Sequence, residues 1–230
     1  MPRRPSKIAM LRRLAKDLSR ERGKIGVDAA SAHMKYRRFF KTQRYIGIDI
    51  DRERLITGLQ RHPEDTGILA NLAEYRGPGN SVDLLVSSNT LHFMSDEDCM
   101  AAVMNFVFMV KPDGRLIITK HVDEVSPKVL ELLQRSFEDV DIFFYKNSLS
   151  MFYESLFYDK GGKFTGTLLA RIFTFRPLIV LLSWLEMLTN GCESCNHRMY
   201  ISCTRKRTKE PENDFSLDGL TLAGQNFYIA

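Results

Sequence analysis

The stretch Arg44-Tyr45-Ile46-Gly47-Ile48-Asp49-Ile50-Asp51 decides the fold. An unbroken apolar run stops at an acid, and Asp51 and Glu53 then stand where a helix opens and its N–H groups need acceptors. A run so short, with so abrupt a polar end, reads as a strand buried on both faces.

The same pattern repeats on either side. Lys24-Ile25-Gly26-Val27 ends at Asp28, Gly67-Ile68-Leu69-Ala70 precedes Asn71, and Val82-Asp83-Leu84-Leu85-Val86 leads to Ser87. Arg115 to Thr119 leads to Lys120, and further strands are expected at Val140 to Tyr145 and Arg198 to Cys203. Helical spacing lies between them: residues 34 to 41 are helix-compatible, Ser95 with Asp98 opens a helix from about Asp96 to Val110, and another runs from about Ser126 to Phe137. Lys111-Pro112-Asp113-Gly114 is a turn, because proline cannot continue a helix and glycine accepts positive φ. Apolar strands alternating with helices predict an α/β fold, an open doubly wound and mostly parallel sheet with helices on both faces.

The 230 residues are 44% hydrophobic and 27% charged, which excludes collagen-like, disordered and polytopic membrane classes. The net charge of +5 is unevenly placed. Residues 1–44 carry 14 Lys/Arg against 3 Asp/Glu, and the remainder is net acidic. Ile8, Leu11, Ala15 and Leu18 give residues 7–22 an amphipathic helical pattern with a basic opposite face. The expected organisation is a basic helix over 1–23, a core over 24–145, a helical insertion over 146–196, a final strand over 197–205 and a tail without regular structure over 206–230. The N-terminus lacks the apolar core of a secretory signal, and the 4 cysteines are too few for a disulfide scaffold, so the expectation is a cytoplasmic protein.

In an open doubly wound sheet, ligands sit outside the carboxyl ends of the strands. The informative residues are therefore Asp28 to Ala32, Asp49 to Asp51, Asn71 to Ala73, Ser87 to His92, and Lys120 with His121. Asp49 ends the second strand, where an acid accepts both hydroxyl hydrogens of a ribose. His92 suits removal of a proton from a hydroxyl, while Lys120 and His121 suit orientation of an anionic substrate. Two have a bland alternative: Asp49 as a helix cap and His92 as a structural histidine, while Tyr36 and Arg37 fit packing and surface equally well.

Val27 to Phe40, Tyr45 to Asp51, Ser81 to Met94 and Val103 to Lys120 resemble, in order and spacing, the motifs of the class I S-adenosylmethionine-dependent methyltransferases. The resemblance implies a seven-stranded Rossmann-like sheet whose last strand lies between the fifth and sixth. It also implies S-adenosylmethionine as methyl donor. Carried over by position, Asp28 approaches the donor through backbone or water and Ala30 to Ala32 form the close-contact turn. Asp49 and Ile50 hold the ribose, Asn71 and Leu72 the adenine, and Ser88 with Asn89 the methionyl portion. Ala30 and Ala32 depart from the family's glycines, and each adds a Cβ where positive φ is expected. Asn71 departs from an acid.

Cys192, Cys195 and His197 look like half a zinc site, but a structural site needs four ligands, so no metal is expected. The apolar stretch 167–189 is interrupted by Arg171, Arg176 and Glu186 and is too short to span a bilayer. A lid over the sheet ends, peripheral membrane contact through 167–189 or the basic N-terminus, and a dimer interface all fit it. The reading that follows is a methyltransferase acting at oxygen on a small or lipid-linked acceptor. One alternative is a catalytically weak or inactive methyltransferase-like scaffold. A nucleic-acid methyltransferase is a second, disfavoured because stacking aromatics are not interleaved with the Lys/Arg cluster. A nicotinamide oxidoreductase is opposed by the missing G-x-G-x-x-G.

Overall fold

Why the strands form where they do is visible in their register. In the computed structural model, β1 (Ile25–Ala29) pairs in parallel with β2 (Arg44–Asp49) on one side and with β4 (Val82–Ser88) on the other. β2 pairs in parallel with β3 (Thr66–Leu69), and β4 with β5 (Val110–His121). Val27, Ala29, Ile48, Ile68, Leu84, Leu85 and Ile117 are all buried, as strands covered on both faces require. The structure describes residues 4–158, 163–164, 166–188, 196–207 and 227–229.

Completed by β6 (Phe137–Asn147), β7 (Asn196–Lys206) and β8 (Phe227–Ile229), the strand order is β6-β7-β5-β4-β1-β2-β3-β8. The last long strand thus lies between the fifth and sixth, as expected. Beyond the expected seven strands, β8 adds three residues at the sheet edge. Phe227–Ile229 pairs antiparallel with β3, so the tail contributes regular structure where its polar composition predicted none. Phe, Tyr and Ile are β-favouring residue types, and the backbone of β3 offers them an open sheet edge. Residues 208–226 of that tail lie outside the described residues, as do Cys192 and Cys195.

Helix α1 is Pro5–Leu18, α2 Arg52–Arg61, α3 Asp96–Met109, α4 Ser126–Ser136, α5 Ser148–Phe157, α6 Leu168–Phe173 and α7 Arg176–Leu188. Ser95 Oγ accepts from the Asp98 N–H at 3.1 Å and Asp51 Oδ1 from the Arg54 N–H at 3.1 Å, so α3 and α2 open on caps. Three local expectations change. Residues 34–41 hold only a single 3-10 turn, Arg37–Phe39, because Met34 takes φ +54° and breaks the helical path. The Lys111–Gly114 turn is bulged out within β5, whose register jumps from Val82↔Val110 to Leu84↔Arg115. The buried stripe of α1 is Met10, Leu14 and Leu18 rather than Ile8, Leu11 and Ala15.

The chain forms two compact units, Leu18–Asp141 with Ile201–Ala230, and Met1–Asp17 with Ile142–Tyr200. The first contains β1 to β5 and the strand ends that carry the candidate site. The second joins α1 to the insertion. It is knitted by buried acids: Asp17 accepts from Tyr200 Oη at 2.7 Å, and Glu154 from Ser6 N at 3.2 Å and Ser6 Oγ at 2.5 Å.

Candidate active site

The loop leaving β1 folds back onto β2, and the residues between Asp28 and Met34 dictate how. Ser31 N donates to Ile48 O at 2.9 Å and Ala32 N to Asp49 Oδ2 at 2.7 Å. Gly47 makes this approach possible: a Cβ there would lie 2.7 Å from Ser31 Oγ. The turn places Ala30 at φ +63° and Ala32 at +49°, the left-handed region where a Cβ crowds the following carbonyl. The positions held by glycine in the resembling family do adopt glycine's conformation here, with alanine in them.

Asp49 is buried, and both its oxygens are engaged. Oδ2 receives Ala32 N and Oδ1 receives Asp51 N at 2.9 Å, so the carboxylate fastens the loop to the end of β2. Each oxygen retains a lone pair for a further donor. Ile50, the next residue, is 72% exposed.

Asp28 is fully buried behind it. Tyr45 Oη donates to Asp28 Oδ2 at 2.8 Å, whereas Asp28 Oδ1 makes no hydrogen bond among the described residues. Burial pushes this carboxyl up to about 7, against the lowering effect of the Tyr45 hydroxyl and the Lys35 ammonium. Tyr45 is itself raised well above its ordinary value by burial and by Asp28.

A polar row crosses the ends of β4 and β5. Tyr36 Oη lies 3.1 Å from Ser88 Oγ, which lies 3.0 Å from Thr119 Oγ1 and accepts from Asn89 Nδ2 at 3.2 Å. Asn89 adopts φ +57°, a conformation asparagine tolerates, and its N–H donates to Thr119 O at 2.8 Å. Ser87 Oγ and Ser31 Oγ are buried and, among the described residues, without a hydrogen bond. Sequence reasoning missed Tyr45 and Thr119 as site-shaping groups, while Ser31 and Ser87 fall within the expected strand-end stretches. A polar side chain at the end of an otherwise apolar strand is the signal for Thr119. Tyr36 and Arg37, which resemble motif residues, are part of this scaffold: Arg37 pairs with the buried Asp65, and its guanidinium sits 5.3 Å from the Tyr45 ring centre.

His92 lies in a 3-10 turn, Leu91–Phe93, just past β4, and its ring centre is 4.2 Å from that of His121 at the end of β5. The structure thus brings two of the three expected catalytic residues together. Lys120 requires correction. Its ammonium is fully buried, ion-paired with Asp123 and 2.9 Å from Ser126 Oγ, so it faces the protein and braces the loop into α4. Alternation along β5 turns its side chain away from its neighbours' face.

Asn71 stands past β3, where its Oδ1 accepts from Ala73 N at 3.1 Å and its Nδ2 donates to Glu74 at 3.2 Å, so the amide closes its own turn. The Leu72 and Ala73 carbonyls accept from Asn105 Nδ2 at 3.1 and 3.0 Å, which ties that turn to α3. Among the described residues, His62, Glu64 and Asp65 hold possible metal-ligand atoms within 4.8 Å of one another, with Asp65 taken by Arg37.

Residues 24–118 match the family described as a methyltransferase domain. Among solved structures, a TehB-like S-adenosylmethionine-dependent methyltransferase from Corynebacterium glutamicum is 17% identical, with 88% of each chain covered and a TM-score of 0.56. The N-methyltransferase NodS from Bradyrhizobium japonicum, crystallised with S-adenosylhomocysteine, is 11% identical, with 90% of this chain and 89% of that one covered and a TM-score of 0.58. The [4+2]-cyclase SpnF is 12% identical, with 86% and 82% covered and a TM-score of 0.53. Such likenesses establish the fold, and a cyclase among them means that the fold alone does not set the reaction. No curated protein matches the sequence.

Proposed function

Because residues 24–118 match a methyltransferase-domain family, we propose that the protein transfers a methyl group from S-adenosylmethionine to an oxygen of a small or lipid-linked acceptor. The observation that carries this reading is the cluster of buried polar atoms at the ends of β1 and β4. Asp28 Oδ1, Ser31 Oγ and Ser87 Oγ lack hydrogen bonds among the described residues, and each such atom costs about 1–3 kcal/mol if left so. All three residues are fully buried, so a polar ligand at the strand ends would partner them once the loop after β1 opens.

The residues present fit that donor. Asp49 keeps a free lone pair on each oxygen for the ribose hydroxyls, and exposed Ile50 offers an apolar face for the nucleobase. Asn89 presents its amide toward the methionyl end, positioned by the Ser88 hydroxyl, which is itself engaged by Tyr36, Thr119 and Asn89. Bound there, S-adenosylmethionine supplies a methyl group already activated on a sulfonium, so the chain's own contribution is alignment and proton removal. His92 and His121 stand ring to ring at the ends of β4 and β5, and an imidazole takes a hydroxyl proton near neutral pH.

A second reading, a methyltransferase-like scaffold whose altered loop no longer takes the donor, is favoured by one observation: Asp49 already clasps the Ala32 N–H across a strained turn. Calorimetric titration with S-adenosylmethionine separates the two. Saturable binding below about 1 mM supports the enzyme. Absence of binding at that concentration overturns it in favour of the scaffold.

A further inference from the structure

Helix α7 is inside out. Its buried face is Ile179, Ser183 and Glu186, with Ser183 fully buried and Glu186 2% exposed, while Leu181 is 56% and Trp184 53% exposed. Glu186 accepts from the Asn147 N–H at 2.9 Å and from the Ser150 hydroxyl, and Arg12 donates to Ser183 Oγ at 2.7 Å. The polar groups are thus satisfied inward, and apolar side chains of α6, α7 and the link between them are left outside: Leu168, Ile172, Phe173, Phe175 and Leu185. Contiguous exposed apolar patches of this kind mark interaction surfaces.

The charge around the patch identifies its partner. Every acid of the unit Met1–Asp17 with Ile142–Tyr200 that lies among the described residues, Asp17, Glu154 and Glu186, is buried and hydrogen-bonded. Lys7, Lys16, Lys163 and Arg176 are exposed, so the described surface charge is cationic. Cations also lie on the aromatic groups: Arg12 sits 4.9 Å from the Trp184 ring centre and Arg4 5.9 Å from that of Tyr158. Aromatic and aliphatic side chains flanked by Arg and Lys suit the headgroup boundary of an anionic bilayer. No helix among the described residues is long and apolar enough to cross a membrane; α7 has 13 residues. Two copies joined through this patch would set like charges against each other across an isologous interface.

We propose that α6 and α7, with the basic helix α1, dock this unit on an anionic lipid surface. The inference stands on this unit's surface and does not require methyl transfer. The chain's 1 tryptophan, Trp184, reports it directly. Vesicles of phosphatidylcholine containing about one-third phosphatidylglycerol are expected to shift Trp184 emission to the blue, shield it from acrylamide and co-sediment with the protein. Pure phosphatidylcholine vesicles, or high salt, are expected to weaken binding about tenfold or more. Leu181→Asp, at an exposed position, is expected to weaken it by a similar factor with an unchanged circular dichroism spectrum. Unaltered emission and no co-sedimentation at millimolar lipid overturn the proposal. So does a dimer in light scattering that Leu181→Asp dissociates while lipid leaves Trp184 unaffected.

Discussion

The ends of β1 and β2 lie side by side in parallel register, Asp28 opposite Gly47, and each strand delivers one aspartate, yet the two carboxylates are treated in opposite ways. Asp49 receives a backbone N–H on each oxygen and holds a loop. Asp28 receives the Tyr45 hydroxyl on one oxygen and nothing, among the described residues, on the other. The first is a clasp that stays open to further donors. The second is a desolvated acid whose neutral form the fold favours. The difference teaches that a strand-end acid gains its role from the N–H groups the next loop brings to it, and residue type alone does not assign that role.

The largest expected effect tests Asp28. Its carboxyl is raised from 3.8 to about 7 in the folded protein, so between those values the native chain keeps a proton that the unfolded chain has lost. Stability therefore falls as pH rises from about 4 to about 7, by about 4 kcal/mol over the whole window. Asp28→Asn, which keeps an acceptor for Tyr45 and carries no charge, is expected to flatten this dependence and unfold at higher temperature at pH 8. Thermal midpoints of both proteins from pH 4 to 8 decide it, and parallel curves would erase the distinction drawn between the two acids.

Asp49 gives the next effect. Alanine there removes the acceptor of two backbone N–H groups, Ala32 and Asp51, at an expected cost of about 2–3 kcal/mol in stability. Donor affinity is expected to fall about 100-fold, since the interaction lost is with a charged acceptor. Asp49→Asn is expected to lie between. Chemical denaturation and calorimetry read the two consequences separately, and a stable variant with full affinity would show that Asp49 neither clasps nor binds.

Much of this was legible in the sequence. The alternation of short apolar runs with helical stretches, each run ending in a polar residue, was enough for the parallel sheet and for the placing of Asp28, Asp49, Ser88 and Asn89 at strand ends. The Ser95 and Asp51 caps were legible because a cap is a local bargain between neighbouring residues. Pairings between distant segments were not. Nothing in the run Tyr45–Ile48 says that Tyr45 turns its hydroxyl to Asp28, since an apolar strand reads the same whichever face receives its tyrosine. The role of Lys120 depends on its facing the α4 side of the sheet, one step of alternation that its sequence neighbours do not reveal. On α7, Ser183 and Glu186 looked like interruptions of an apolar surface. They are its buried seam, because their partners Arg12, Asn147 and Ser150 come from other elements.

The smallest effect bears on the loop that joins the two acids. Ala30 and Ala32 hold left-handed φ at an expected cost of about 1–2 kcal/mol each, which glycine would relieve. Glycine also gives the unfolded chain more freedom, worth about 0.5–1 kcal/mol against the fold. The net gain from Ala30→Gly or Ala32→Gly is therefore about 0.5–1 kcal/mol, a rise of a few degrees in melting temperature. Ala29 supplies the control. It sits one residue earlier, buried in β1 and absent from the left-handed region, so Ala29→Gly incurs the entropy without the relief and is expected to lower stability. Opposite signs from the same chemical change at adjacent positions would isolate backbone strain from any change in packing. Donor affinity should hold or tighten in the Ala30 and Ala32 variants, because the clasp between Ala32 N and Asp49 uses backbone atoms that both substitutions retain. If stability rises while affinity collapses, the methyl groups themselves touch the ligand, and the turn is built for a guest of a different shape.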